Sequence, residues 1–389
     1  MRPFRLALAG AGLSMIAEIM RRSPSAGDLR PQADVASLAR GFERARAAAI
    51  SVLVDERFGG SLDDLRAARA ATRLPLLAKG FLRTEEDLAA VRRAGADAAL
   101  LLLRDLDDRR MRRLMARAES LGIETLVEVH DGDELGRAVN LGADPIGINA
   151  RDLETFRVDR ARQLRLVARA RGRVVVAESG ILSRAQGAEA ELAGADAILV
   201  GTALMRAPDP AAELLGLAAR PLVKVCGLTR EEDIAAAAEA GVDMAGFVLA
   251  ESPRRVDDPL DVPDGMLSVG IVVGGSRPRG TDLVQAYQLD RGHRGRDGLL
   301  LQRGRVVASV PDLPGGGDDP AHLDRAADVA GRVMLAGGLS PANVGGAIRR
   351  VRPWAVDASR GLEQAPGIKD PERMRAFAAA AREAGAASC

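Results

Sequence analysis

Charged and polar residues stand at the C-terminal ends of several apolar runs in this chain. Such runs predict buried strands, where a charge costs free energy unless a partner or a reaction uses it. The residues at these positions are Glu18, Lys79, Glu128, Asn149, Arg151 and Glu178. A lysine facing several carboxylates suits acid–base chemistry on a sugar carbonyl, because one group must donate a proton while another removes one. Any single member could instead be a paired structural charge.

Two glycine-containing segments extend this set. Glu178-Ser179-Gly180-Ile181 and Val200-Gly201-Thr202-Ala203 each follow an apolar run. Glycine allows backbone N–H groups to approach a phosphate closely, so both segments are candidate phosphate loops.

A repeated motif indicates which elements hold these residues. Gly95-Ala96-Asp97, Gly142-Ala143-Asp144, Gly194-Ala195-Asp196 and Gly241-Val242-Asp243 each follow a helical pattern and precede an apolar run. Glycine there is the expected helix cap, and the alternation predicts parallel strands covered by helices.

The strands of the first part of the chain can be placed individually. We predict them at 15–20, 50–54, 75–79, 98–103, 124–129, 146–149, 173–178 and 196–201. This number of strands with following helices in about 220 residues predicts a (β/α)8 barrel, whose chemistry lies at the strand C-terminal ends, with phosphate after strands 7 and 8. A doubly wound open sheet is disfavoured because no Gly-x-Gly-x-x-Gly turn follows the first strand.

Length and composition limit the remaining function classes. At 389 residues the chain exceeds what one core usually supports, which favours two domains. Lys and Arg number 55 against 54 Asp and Glu, without long blocks of one sign, which argues against a nucleic-acid or membrane partner. Cys226 and Cys389 lie far apart, so we expect no disulfide framework and a reducing cytoplasm. No apolar run has transmembrane length, and the N-terminal residues make a poor signal peptide.

Several segments taken together resemble indole-3-glycerol-phosphate synthase. Residues 18–25, EIMRRSPS, are similar to that family's E-x-K-R-x-S-P-S, with Met20 where the family has a lysine. The other matching segments are FGGSL at 58–62, LAKGF at 77–81, LVEVHD at 126–131, IGINARDLETF at 146–156, VAESGI at 176–181 and VGTALM at 200–205. The resemblance covers roughly residues 3 to 215.

This resemblance implies a role for each matched residue. Lys79 would be the general acid of ring closure and Glu128 the base, with Glu18, Asn149 and Glu178 completing the catalytic set. The residues that would bind the substrate or its phosphate are Ser23, Phe58, Phe81, Arg151, Ser179, Gly180, Gly201 and Thr202. The chain departs from the family at Met20, which can neither bind a carboxylate nor donate a proton, and at Gly80, which replaces an aspartate. It also lacks most of the family's N-terminal helical extension.

From about Pro221 the chain resembles a second family, phosphoribosylanthranilate isomerase. LVKVCGLTREED at 222–233 is similar to the family's opening K-x-C-G-[LI]-[TR], and AGFVLAESPRRV at 245–256 to its next strand and loop. VMLAGGLSPANV at 333–344 and PWAVDASRGLE at 353–363 match its two phosphate loops, with Arg360 in place of a small residue. The resemblance spans about 221 to 385. It is weak from 288 to 335, where the chain is short for two strand–helix units and 299–310 predicts a hairpin.

The second resemblance implies another acid–base pair. Cys226 would be the general base, with a thiol pKa lowered by phosphate-binding amides and Arg254, although a lone cysteine can also be core packing. Asp312 is the candidate acid because a Gly-rich run follows it; the alternative is a solvated loop residue. Arg254 would pair with the anthranilate carboxylate. The phosphate cradle would consist of Gly337, Gly338, Asp357, Ser359 and Gly361.

We therefore expect an α/β chain of two fused (β/α)8 TIM barrels, comprising residues 1–218 and 221–389. The resemblances imply a bifunctional enzyme of tryptophan biosynthesis that acts on small phosphosugar–anthranilate substrates. No metal or organic cofactor is implied, and a monomer is compatible with the sequence. Two alternatives stay open: a non-catalytic phosphosugar-binding protein, which Met20 favours for the N-terminal barrel, and a chain in which only one barrel is active.

Overall fold

The computed structural model describes residues 4–10, 12–23, 27–274, 278–288, 297–313, 319 and 321–387. The chain forms two compact units. The first comprises Met1–Leu182 and Gly187–Ala218, and the second comprises Ser183–Gln186 and Ala219–Cys389. Within the described ranges, no helix combines the length and the apolar character needed to cross a membrane.

The first unit is a closed, all-parallel barrel. Its strands are β1 (Ser14–Ile19), β2 (Ala49–Leu53), β3 (Leu76–Lys79), β4 (Ala98–Leu102), β5 (Glu124–Val129), β6 (Ile146–Asn149), β7 (Val175–Glu178) and β8 (Ala197–Val200). Each strand pairs with its neighbours in chain order, and β8 pairs with β1. All eight predicted strands are confirmed to within about two residues.

One short helix precedes β1 and packs Phe4 and Leu8 against the barrel interior, and the remaining helices follow the strands and form the outer layer. In chain order the helices are α1 (Phe4–Leu8), α2 (Val35–Arg44), α3 (Leu62–Ala71), α4 (Glu85–Arg93), α5 (Asp108–Leu121), α6 (Gly132–Asn140), α7 (Arg160–Arg169), α8 (Arg184–Ala193), α9 (Thr202–Arg206) and α10 (Pro210–Ala218). Side-chain oxygens cap most of their N-termini; Thr84 and Asp87, for example, form a capping box at α4.

Strand alternation determines which side chains face the barrel interior. Ile16, Leu77, Leu126 and Val176 belong to one buried cluster inside the barrel. The residues beside them, such as Ala17 and Val127, pack in a different cluster that includes the helices. Because side chains on a strand alternate with a period of two, the residues two positions beyond the interior set also point inward. Glu18, Lys79, Glu128 and Glu178 are those residues.

The repeated Gly-x-Asp motif joins each helix end to the sheet. Gly95, Gly142, Gly194 and Gly241 all adopt positive φ angles, between 72° and 116°. The aspartates that follow accept hydrogen bonds from backbone N–H groups where neighbouring strands begin. Asp97 binds Leu76 N at 3.0 Å, and Asp196 binds Val175 N at 2.8 Å. The motif therefore ends a helix and orders the start of a strand at the end of the barrel opposite the candidate site.

The second unit contains an eight-stranded sheet. Its strands are β9 (Leu222–Cys226), β10 (Met244–Val248), β11 (Leu267–Val273), β12 (Leu283–Tyr287), β13 (Gly298–Gln302), β14 (Arg305–Val310), β15 (Met334–Leu335) and β16 (Ala355–Ala358). The order is β14-β13-β12-β11-β10-β9-β16-β15, and a single bridge between Ser309 and Val333 joins the two edges. The fold class is confirmed, with the second barrel closed at this seam by one bridge.

One strand of the second barrel runs against the others. β13 is antiparallel to both β12 and β14, and Arg303 and Gly304 form the tight turn that connects β13 to β14. The hairpin predicted at 299–310 is confirmed. No helix separates β13 from β14, in agreement with a stretch that is short for two strand–helix units. The described helices of this unit are α11 (Glu231–Glu239), α12 (His322–Ala327), α13 (Val344–Val351) and α14 (Pro371–Ala386). Residues 289–296 and 314–318, including Leu289 and Asp290, lie outside the described residues.

Candidate active sites

Lys79 is the centre of the polar cluster inside the first barrel. Its Nζ donates a hydrogen bond to Glu178 Oε2 at 2.9 Å and lies 3.2 Å from Glu18 Oε1. Ser51 Oγ also donates to Glu18 Oε1, at 3.3 Å. The ends of β1, β2, β3 and β7 thus hold one ammonium group between two carboxylates.

Glu128 lies in the same cluster with different partners. Asn149 Nδ2 donates to Glu128 Oε1 at 2.9 Å, and His130 Nε2 lies 3.1 Å from the same oxygen. Glu128 Oε2 and Glu178 Oε1 are buried and accept no hydrogen bond from the described residues. These two oxygens are available to a bound molecule.

The pKa values of the ionisable groups in this cluster are shifted in different directions. Burial opposes the charged form of Lys79, but the carboxylates of Glu178, Glu18 and Glu128 raise its pKa overall. Burial raises the pKa of Glu178 to about 7, against the lowering effect of Lys79. Burial acts in the same direction on Glu128, but His130, Lys79 and Asn149 hold its pKa below the ordinary value. The site therefore contains a firmly protonated amine, an ionised carboxylate and a carboxyl group that titrates near neutral pH.

Two glycines leave the space that these side chains occupy. A Cβ on Gly147 would lie 2.1 Å from Glu178 Oε1. A Cβ on Gly201 would lie 2.6 Å from Glu18 Oε2 and 2.7 Å from Met20 Cε. The buried Met20 side chain thus reaches the same side of the barrel mouth as Glu18.

Two aromatic rings lie beyond Lys79 at the mouth. The ring centroids of Phe58 and Phe81 are 6.5 Å apart. The Arg57 guanidinium lies 4.2 Å from the Phe81 centroid and forms two hydrogen bonds to Asp55, at 2.9 and 2.7 Å. An aromatic ring bound here would meet both phenyl groups and a cation that sequence analysis did not identify.

The other predicted residues of the first barrel lie on the loops at the same end. Ser23 is buried in a two-residue strand that follows β1, and the half-buried Arg151 donates Nη1 to Phe156 O at 3.2 Å. Ser179 and Gly180 follow β7 with φ angles of 67° and 70°. Gly201 and Thr202 follow β8. Positive φ at Ser179 is uncommon for a residue with a side chain and turns the backbone sharply at this loop.

In the second barrel, all eight predicted site residues line one cavity of about 700 Å³. They are Cys226, Arg254, Asp312, Gly337, Gly338, Asp357, Ser359 and Gly361. Gly337 and Gly361 have no room for a side chain, because a Cβ would lie 2.3 Å from Leu313 N and 2.4 Å from Leu339 O respectively. The two glycine loops therefore present backbone, rather than side chains, to the cavity.

Cys226 lies near a buried ion pair. Lys224, two residues earlier on β9, is fully buried, and its Nζ lies 2.8 Å from Asp357 Oδ2. Burial raises the pKa of the Cys226 thiol, although Lys224 and Lys369 draw it down. The expected lowering of this pKa is therefore wrong, because loss of hydration outweighs the nearby cations. The carboxylate of Asp357 is the partner of Lys224 and would repel a phosphate, so the part of Asp357 that suits the predicted cradle is its backbone.

Asp312 is partly buried and hydrogen-bonded, unlike a solvated loop residue. Tyr287 Oη donates to Asp312 Oδ2 at 2.7 Å, and Gln285 Nε2 donates to the same hydroxyl at 2.6 Å. Burial raises the pKa of Asp312, partly offset by the hydrogen bond from Tyr287. A carboxyl group with a raised pKa can hold a proton for donation.

The guanidinium group of Arg254 is paired with the carboxylate of Glu363. Its Nε and Nη2 bind Glu363 at 2.7 and 2.6 Å, and Lys369 Nζ binds Glu363 Oε1 at 2.8 Å. Lys369 also lies 3.4 Å from Ser359 O and Oγ. Sequence reasoning missed Glu363 and Lys369 because neither lies at the end of an apolar strand.

Both units thus have acid–base side chains, inside the barrel or at its mouth, with glycine-rich backbone beside them. The fold and these sites define a two-barrel enzyme that moves protons on phosphorylated substrates.

Comparisons with known proteins agree with this class. The family model of indole-3-glycerol phosphate synthase matches residues 2–217, and that of N-(5′-phosphoribosyl)anthranilate isomerase matches residues 319–380. Indole-3-glycerol phosphate synthase 2 of Streptomyces coelicolor is 46% identical over 218 residues, which are 56% of this chain and 84% of the relative. The multifunctional tryptophan biosynthesis protein of Phycomyces blakesleeanus is 32% identical over 94% of this chain and 62% of its own length. The solved structure of TrpF from Jonesia denitrificans is 30% identical, covers 44% of this chain and 99% of its own, and has a TM-score of 0.34.

The chain belongs to the indole-3-glycerol phosphate synthase family and carries a phosphoribosylanthranilate isomerase domain after the synthase domain. It is a bifunctional enzyme of tryptophan biosynthesis.

Proposed function

We propose that the first barrel closes the indole ring of carboxyphenylamino-deoxyribulose phosphate with loss of carbon dioxide and water. The observation that carries this proposal is the Lys79–Glu178–Glu18 contact, with Glu128 beside it and two carboxylate oxygens that accept no hydrogen bond from the described residues. Lys79 donates a proton to the sugar carbonyl oxygen as the aromatic carbon attacks the carbonyl carbon. Carbon dioxide leaves the ring carbon. Lys79, reprotonated by Glu178, then protonates the new hydroxyl group, which leaves as water, and Glu128 takes up the proton released as the indole forms.

The surrounding residues place the substrate. Phe58 and Phe81 receive the anthranilate ring, and Arg57 lies over the second of them. Ser179, Gly180, Gly201 and Thr202 hold the phosphate after β7 and β8, as expected for a barrel of this type. Ser23, Asn149 and Arg151 line the rest of the mouth. Glu178, with its pKa raised to about 7, can exchange a proton with Lys79 between steps.

The second barrel isomerises N-(5-phosphoribosyl)anthranilate. Asp312 protonates the ribose ring oxygen and the ring opens to an imine. Cys226 then removes the C2 proton as a thiolate, the form that Lys224 and Lys369 favour against the effect of burial, and this gives the enolamine. Proton transfer to C1 and loss of the C2 hydroxyl proton then give the ketone, so the rearrangement changes no atom count. Arg254 uses Nε and Nη2 for Glu363 and offers Nη1 to the anthranilate carboxylate. Gly337, Gly338, Ser359 and Gly361 hold the phosphate.

The scheme needs proton transfers alone, so we propose that neither barrel uses a metal or an organic cofactor. We also propose a cytoplasmic, monomeric enzyme without a nucleic-acid or membrane partner. The balanced charge and the two widely separated cysteines support this proposal.

Replacement of Lys79 tests the first proposal. Lys79→Ala should lower indole-glycerol phosphate formation by on the order of a hundred- to ten-thousand-fold, the usual contribution of one general acid. The isomerase rate of the same chain serves as the control for folding and should be unchanged. A variant that keeps most of the parent synthase rate would remove Lys79 from the mechanism.

A further inference from the structure

His130 is a buried histidine between two carboxylates in the first barrel. It follows β5 directly and is 7% exposed. Its Nε2 lies 3.1 Å from Glu128 Oε1, and its Nδ1 lies 3.1 Å from Glu134 Oε2. Its own backbone N–H donates to Glu134 Oε2 at 2.7 Å, so the ring is fixed against the first turn of α6.

The contacts on Glu128 are unequal. Oε1 accepts a hydrogen bond from Asn149 Nδ2 at 2.9 Å, and His130 Nε2 lies 3.1 Å from the same oxygen at ion-pair distance, outside hydrogen-bond geometry among the described residues. Oε2 is buried and accepts no hydrogen bond within the described part of the chain. One oxygen is therefore anchored, and the other is left for proton transfer.

We propose that His130 is a positioning residue, which anchors Glu128 through Oε1 and supplies the positive charge that keeps this carboxylate ionised while Oε2 faces the substrate. This inference rests on the proposed role of Glu128 as the base. His130 does not contact the reacting atoms in this arrangement, because Glu128 stands between them.

The charges around the pair are consistent with an imidazolium. Burial opposes the charged form of His130, but Glu128 and Glu134 raise its pKa to about 9. The other charged groups that act on Glu128 are Lys79 from β3 and Glu178 from β7. Lys79 is already paired with Glu178 and Glu18. His130 is therefore the cation paired with Glu128, and its second carboxylate partner is Glu134.

The pH dependence of synthase turnover in the full chain tests this role. His130→Gln removes the cation, so the pKa of Glu128 should rise and the acidic limb of the kcat profile should move upward by about one pH unit or more. The deficit should shrink as the pH rises, and KM should change little. His322→Gln is the matched control: His322 is also buried and its Nε2 lies 2.9 Å from a backbone carbonyl, that of Ala336. This control should leave the synthase profile unchanged.

Direct titration of the parent enzyme supplies an independent measurement. The chain has three histidines, and the spectra of the two variants assign two of them in a ¹³C or ¹⁵N imidazole titration by NMR. His130 should stay protonated to about pH 9. Titration of this ring near the ordinary histidine value would overturn the proposal, even if His130→Gln failed to fold.

Further outcomes separate this inference from the function it rests on. Full synthase activity in Glu128→Gln would overturn the role of Glu128 as base. An inactive Glu128→Gln together with a folded His130→Gln of unchanged acidic limb would overturn the role of His130 alone. Isomerase activity reports folding in each case.

Discussion

At the scale of single residues, Met20 is the clearest departure from the family motif. Its terminal methyl group lies where a Gly201 side chain would begin, beside Glu18. An ammonium group at this place would lie near Glu18 and near the expected substrate carboxylate. We predict that Met20→Lys raises synthase activity, because the new cation attracts that carboxylate. Steady-state rates and the melting temperature of both proteins provide the measurement, and equal or lower activity at an unchanged melting temperature would mean that the site is adapted to methionine.

Cys226 and Asp312 carry the corresponding prediction for the second barrel. Cys226→Ser should abolish isomerase turnover, because a serine hydroxyl is a far weaker base near neutral pH. Asp312→Asn should also lower it, by about a hundredfold or more, because the amide has no acidic proton to donate. Synthase turnover by the same variants is the internal control. Full isomerase activity in Cys226→Ser would remove the base assignment, and full activity in Asp312→Asn alone would place the acid elsewhere.

Sequence reasoning identified the candidate residues at the ends of apolar strands but missed the charged residues that pair with them. Lys79, Glu128, Glu178 and Cys226 were visible because a polar group interrupts an apolar run. Lys224 offered the same signal, since a lysine inside LVKVC is costly unless it is paired. His130 gave no such signal, because its partner Glu134 lies one helical turn further along and the pairing depends on how α6 begins.

At the scale of elements, the first barrel was predictable and the middle of the second was not. The strands of the first barrel are mostly apolar, with their charged residues near the strand ends, and Gly-x-Asp motifs mark where three of them begin. Between Gln288 and Leu335 the described part of the second barrel instead contains the antiparallel hairpin β13–β14, followed by α12. That this hairpin belongs to the barrel wall follows only from its pairing with β12.

Glu363 lies in the hairpin of residues 363–365 and 368–369, and it should make the stability of the second barrel depend on pH in the acidic range. Burial raises the pKa of Glu363, but the lowering effect of Arg254 and Lys369 is larger, and the pKa falls from its ordinary value of 4.5 to about 2. Because the folded-state pKa is depressed, this group stabilises the fold fully above pH 4.5 and loses that contribution as the pH falls toward 2. Glu363→Gln should therefore show a flatter dependence of unfolding free energy on pH between about 2 and 5.

Urea unfolding of the full chain measures this effect. Trp354, the sole tryptophan, is buried in the second unit, so its fluorescence reports that unit specifically. Equal pH slopes in the parent and the variant would show that Glu363 has no such linkage.

At the scale of the whole molecule, each unit has its own apolar core. One pair of clusters lies within the first barrel, and another cluster connects β9, β10 and β16 with their helices. We predict that residues 1–218 and 221–389, produced separately, each fold and retain most of one activity. Circular dichroism and the two single-step assays test this boundary. Loss of structure in either piece would show that the cores depend on each other.

The turn at Arg303 and Gly304 precedes the strand that leads to Asp312 in the second active site, and so helps to fix the register of that strand. Both residues have positive φ angles, 51° and 79°, as a two-residue hairpin of mirror-image type requires. This turn lies at the end of the barrel away from the cavity, because β14 runs from it toward Asp312. Strand side chains alternate, so one added or deleted residue in β14 would exchange its inner and outer faces. The pairing of β13 with β14 shifts by one residue between Leu300 and Leu301, so alternation is continuous from Ala308 onward. The number of residues from Ala308 to Asp312 therefore decides on which face, and at what height, Asp312 meets Tyr287.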